Sequence, residues 1–126
     1  NDRSLRAFAG RIRMARAQQL STLGQHRAAL ALQKQVVADY GAARDPKKAS
    51  SLNRLVTSHV ALANSAVRAG ERDVACASTK EALRTVAELE RAKGLIPSVG
   101  RYKAGLEGNA ARCARGVAAS GLEFLL

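Results

Sequence analysis

Tryptophan is absent from this chain, and aromatic residues make up only 3% of its 126 positions. A core without large rings has to be built from Ala, Leu and Val. That favours closely packed helices over strands, where aromatic and β-branched side chains are preferred. Proline occurs only twice, at Pro46 and Pro97, and both fall between segments of helical periodicity. The two cysteines and two histidines show none of the spacings that hold zinc, so neither a metal nor a cofactor is expected. No apolar run approaches the roughly 20 residues that cross a membrane as a helix. The chain begins without Met and no signal peptide is visible, as in a mature form or an excised domain.

Acidic residues are scarce too. Ten Asp and Glu stand against 21 Lys and Arg, a formal net charge of +11. Between Arg3 and Ala38 there are seven basic residues (Arg3, Arg6, Arg11, Arg13, Arg16, Arg27 and Lys34) and no acidic one. A field of this sign attracts an acidic protein, anionic lipid or nucleic acid, unless the charges merely solvate helix faces. Nucleic acid is the less favoured partner, because stacking platforms and recognised binding motifs are both missing.

What is present is helical periodicity. A first helix is expected over residues 4–23, with Leu5, Phe8, Ile12, Ala15, Leu20 and Leu23 forming its apolar stripe. A second is expected over 27–40, with Leu30, Val36, Val37 and Tyr40 on one side. Residues 41–50 (GAARDPKKAS) form the clearest connector, with Asp45-Pro46 as a turn signal. The third helix, 51–69, carries Leu52, Leu55, Val56, Leu62, Ala63, Ala66 and Val67; the fourth, 72–93, carries Val74, Leu83, Val86 and Leu89. Gly94 suits a left-handed C-cap, and Pro97 suits the first turn of a last helix that reaches about residue 120. Gly105, Gly108 and Gly116 weaken that helix, and Gly108-Asn109 is its expected breaking point. The fold class expected is all-α: about five antiparallel helices in a single domain, 1–126, with hairpins at 4–41 and 51–93 and a capping helix at 97–120.

The two hairpins carry an internal repeat. Gly24-Gln25-His26-Arg27-Ala28-Ala29-Leu30 is echoed by Gly70-Glu71-Arg72-Asp73-Val74-Ala75-Cys76, and Val36-Val37 by Ala82-Leu83. Aligned on the glycines, Ala17, Gly24, Ala29 and Val36 of the first unit correspond to Ala63, Gly70, Ala75 and Ala82 of the second. This pattern resembles the tetratricopeptide repeat, in which small residues let two helices interlock about a glycine turn. Gly24 and Gly70 are 46 residues apart, against 34 in a standard repeat, and Arg16 stands where that family has Leu. The resemblance implies two stacked helix–turn–helix units that bind a protein or peptide without catalysis. Helices one and three would line the binding face and present Arg13, Arg16 and Gln19 together with Asn53, His59 and Asn64. Arg13 and Arg16 would grip an acidic segment or a terminal carboxylate.

A second, shorter stretch, Ala9-Gly10-Arg11-Ile12-Arg13-Met14, is similar to the A-G-R-x-R-M run in the first helix of bacterial nitrate-sensor and PilJ-type domains. That resemblance implies a helical sensor in which Arg11 or Arg13 holds a small anion across a dimer interface. A third alternative is a structural subunit of a larger basic assembly, with the apolar Phe124-Leu125-Leu126 as a docking tail.

If the fourth and fifth helices form an antiparallel hairpin about 94–97, residues whose numbers sum to roughly 189 face one another. Cys76 and Cys113 meet that condition. A disulfide there would stabilise by about 3–4 kcal/mol and imply an oxidising, periplasmic or secreted setting. Two buried free thiols in a cytoplasmic protein are the other account. No enzyme signature is present. His26 lies in a turn, His59 lies on an apolar helix side, and Glu81, Glu88 and Glu90 alternate with Lys80, Arg84 and Arg91 as on a solvated helix face. Gly105-x-x-Gly108 follows no strand and is not a phosphate loop.

Overall fold

A computed structural model describes residues 2–125 of the chain. It is 79% helical, with no strand among the described residues. The helices are α1 (Asp2–Thr22), α2 (His26–Ala42), α3 (Ala49–Ala69), α4 (Arg72–Arg91), the single turn α5 (Pro97–Gly100) and α6 (Lys103–Ala114). A 3-10 turn, Ala119–Gly121, follows. The first four helices lie within two residues of the sequence expectation at each end. They pack in chain order: α1 on α2, α2 on α3, α3 on α4, with α6 covering α4 and the tail returning to α3.

The repeated motif is also a repeated turn. Gly24 and Gly70 both adopt left-handed backbone, φ 77° and 74°, a conformation in which glycine carries no Cβ penalty. Gly24 N–H donates to Ser21 O (3.0 Å) and Gln25 N–H to Leu20 O (2.9 Å). Gly70 N–H donates to Val67 O (3.2 Å) and Glu71 N–H to Ala66 O (2.8 Å), the same pair of bonds closing the helix end. The six aligned small residues, Ala17, Ala29, Val36, Ala63, Ala75 and Ala82, are all buried, so close helix approach is what they provide.

Three expectations are corrected. Lys93 (φ 55°), rather than Gly94, takes the left-handed position after α4. Gly94 is needed small for a different reason: a Cβ there would lie 2.9 Å from the Ala49 Cβ at the start of α3. The capping helix divides at Arg101-Tyr102 and ends at Ala114, while Gly108-Asn109 sits unbroken inside α6. Finally, the expected core stripe of the first helix faces outward: Leu5, Phe8, Ile12 and Leu23 are 55–69% exposed. The buried residues of α1 are Ala7, Gly10 and Ala17, with Met14 packed on Val36, Tyr40 and Leu55. Small residues win the contact because α2 comes so near that a Cβ on Gly10 would meet the Tyr40 ring at 2.5 Å.

The main core lies between α3, α4, α5 and α6: Leu52, Val56, Val60, Val86, Leu89, Val99 and Leu106, closed by Leu125 of the tail. Two asparagines hold that tail. Asn64 Nδ2 donates to Leu125 O (2.7 Å) and its Oδ1 accepts Leu125 N–H (2.8 Å). Asn109 does the same for Glu123, at 2.9 Å in both directions. Leu125 of the expected docking tail is therefore buried, Phe124 lies under Arg68 (4.3 Å), and Leu126 lies outside the described residues.

Candidate functional site

Helix α1 carries two apolar faces about 180° apart on a 3.6-residue helix. The inner one, built of Ala and Gly, is spent on α2. The outer one runs through Leu5, Phe8, Ile12, Ala15, Gln19 and Leu23, at steps of three and four residues. Toward the C-terminal end it widens into a shallow, open patch formed by Ala15, Arg16, Gln18, Gln19, Thr22 and Leu23. Helical geometry sets Arg11 and Arg16 on opposite edges of this stripe. Both are exposed, and Arg11 lies over the Phe8 ring at 5.7 Å from its centre.

The expected partner residues divide into two groups. Arg16 and Gln19 stand on the outer face of α1 and are free to meet a partner. Arg13 is committed elsewhere: it donates to the carboxylate of Asp39, whose side chain is 3% exposed, with Arg6 a further 3.7 Å contact. That ion pair pins α1 to α2. The sequence held a signal for it, since Asp39 is the first acidic residue after the long basic stretch.

The three residues of α3 serve the fold. Asn53 donates to Ala49 O and Gly94 O (2.9 Å each) and accepts Ile96 N–H at 3.2 Å, tying the α4–α5 turn to α3. Asn64 is occupied by the tail. His59 is buried beside α4, in a shallow groove with Leu62, Val74 and Glu81. Burial pushes its pKa below the ordinary value, opposed in part by the Glu81 carboxylate. The face expected from helices one and three together is therefore not formed by these six residues; its α1 half remains.

Cys76 of α4 and Cys113 of α6 are joined in a disulfide with their Cα atoms 5.9 Å apart. Arg72 reinforces the same seam, donating to Cys113 O and Val117 O at 2.7 Å each. Neither sulfur is free as a nucleophile. Among the described residues no three His, Cys, Asp or Glu side chains cluster as a metal site, and no helix is long and apolar enough to cross a membrane.

Fold and surface together define an all-α, disulfide-linked helical domain with an exposed apolar face on α1. The chain matches no protein-family model, no curated protein and no solved structure. Both family resemblances therefore rest on the residues that carry them.

Proposed function

We propose that this chain is a non-catalytic protein–protein interaction module that takes an acidic amphipathic helix onto the outer face of α1. The observation that carries this reading is the exposure of Leu5, Phe8, Ile12 and Leu23 along one helix whose only acidic residue is Asp2. Apolar anchors at helical spacing are what an amphipathic helix seeks, each contributing roughly 1.5–3 kcal/mol when fully covered. Arg11 and Arg16 on the edges favour Glu and Asp beside the partner's own stripe. A second copy of this chain would set those arginines against like charge, so charge selects a different partner. The Cys76–Cys113 bond supports an oxidising compartment, periplasmic or secreted, as the place of binding.

The test is an NMR titration of the isotope-labelled chain with two synthetic 20-residue amphipathic helices, one flanked by Glu and one by Lys. The Glu peptide should bind, with shifts along residues 5–23, and the double variant Phe8→Ser, Ile12→Ser should weaken it at least tenfold. Equal binding of the Lys peptide, shifts confined to α4 and α6, or self-association through α1 would overturn the reading.

A further inference from the structure

A second surface of different chemistry lies at the end of the array where the N-terminal turns of α1 and α3 converge. It is a cleft of about 390 Å³ between α1, the α2–α3 connector and the start of α3. Four cations line it, Arg3, Arg11, Lys48 and Arg54, against a single carboxylate, Asp45. Asp45 is already engaged: it sits 3.6 Å from Arg3 and accepts the Lys47 N–H at 3.1 Å. Arg11, Lys48 and Arg54 pair with no carboxylate among the described residues.

Arg54 is held ready rather than left loose. Its guanidinium stacks on the Tyr40 ring, 4.6 Å from the centre, and its Nε is buried with no hydrogen-bond partner among the described residues. Arg11 approaches the same tyrosine: the positive charges of Arg54 and Arg11 both oppose the rise that burial causes in the Tyr40 pKa. The α3 N-terminus adds its positive end, uncapped by any side chain, with Ser50 and Ser51 in the wall.

We propose that this cleft binds the dianionic phosphate of a small soluble phosphomonoester. Three unpaired cations exceed what one carboxylate can balance. A phosphomonoester brings a charge near −2 and three acceptor oxygens. Guanidinium groups match two of those oxygens in a planar fork, and the Lys48 ammonium serves as a point charge. The cleft is larger than inorganic phosphate needs and falls within the range of small-ligand sites. It shares Arg11 with the anion role drawn from the sequence, with Lys48 and Arg54 in place of Arg13.

The experiment is isothermal titration of the oxidised chain with glycerol 3-phosphate and with inorganic phosphate in about 150 mM salt, where surface charge is screened within roughly 8 Å. Cosedimentation with phosphatidic-acid vesicles is measured beside it. One glycerol 3-phosphate should bind per chain, saturably, and more tightly than inorganic phosphate. Arg11→Gln and Lys48→Gln, both exposed positions, should each weaken binding about tenfold and together abolish it. Lys80→Gln with Arg91→Gln removes the same charge from the far side of α4 and should change nothing; circular dichroism melts confirm that each variant folds. Three outcomes overturn the proposal: no saturable binding, equal loss in the α4 control, or binding to the vesicles without binding to the soluble ester.

Discussion

Helices α1 and α4 are nearly equal in length, 21 and 20 residues, and each belongs to a hairpin closed by the same glycine turn. Their fates differ. α4 buries seven residues, among them Val86 and Leu89, and is fastened to α6 by a disulfide. α1 buries Ala7, Gly10 and Ala17, leaves Leu5, Phe8 and Ile12 in water with Leu23 just beyond its end, and is held to α2 largely by packed small residues and the Arg13–Asp39 pair. A local motif sets where helices stop and turn. Position in the array decides how many neighbours a helix finds, and α1 stands at the end. One half of the molecule buries its large apolar side chains, and the other leaves them exposed.

The largest effect that would sharpen this contrast is expected at the Cys76–Cys113 bond, which spans 37 residues of chain. Reduction, or Cys76→Ala with Cys113→Ala, should cost about 3–4 kcal/mol. Hydrogen exchange should show lost protection in α4 and α6 with α1 little changed. Uniform loss along the whole chain would break the division into two halves.

A matched pair of substitutions comes next. Leu89 is fully buried and Phe8 is 55% exposed. Leu89→Ala should destabilise by about 3 kcal/mol in urea unfolding. Phe8→Ser should stay within about 0.5 kcal/mol, as surface changes do. A Phe8→Ser cost approaching that of Leu89→Ala would show that α1's outer face is covered in solution, for instance by another copy of the chain.

These cases also show how far the residues alone could be read. The four long helices, the two glycine turns and the facing positions of Cys76 and Cys113 follow from periodicity, turn chemistry and antiparallel numbering, all properties of nearby positions along the chain. The buried side of α1 was not legible. Leu, Phe and Ile at helical spacing read as core, and only the presence of α2 against the Ala/Gly face reverses that. Gly108-Asn109 reads as a break because glycine weakens helix interiors; the segment stays helical with Asn109 fixed by the Glu123 backbone, fourteen residues away. The basic cleft draws Arg3 and Arg11 from α1 and Lys48 and Arg54 from the start of α3, stretches about 40 residues apart, so no spacing rule could gather them.

A smaller effect is expected where the tail meets the core. Asn64→Ala would leave the Leu125 N–H and C=O without their partner, at a cost of about 2 kcal/mol. Limited proteolysis should then cut within residues 117–125 well before α1 or α2 is touched. Cleavage in α1 first would place the weak point of the fold in the other half.

The smallest effect is expected from His59, whose buried position in the α3–α4 groove lowers its pKa. The unfolded chain takes up this proton near the ordinary value of about 6.5, while the folded chain resists until the pH is lower. Between those two points the unfolded state holds more protons, so stability is complete above about pH 6.5 and declines as the solution is acidified. Glu81, which favours the charged ring, limits the decline without reversing it. Urea midpoints measured from pH 7.5 down to 5 should therefore fall more steeply for the native chain than for His59→Gln, which has no proton to gain there. Parallel profiles would mean that the ring is protonated as readily in the fold as in water, and that the groove between α3 and α4 is open to solvent in a way the outer face of α1 is.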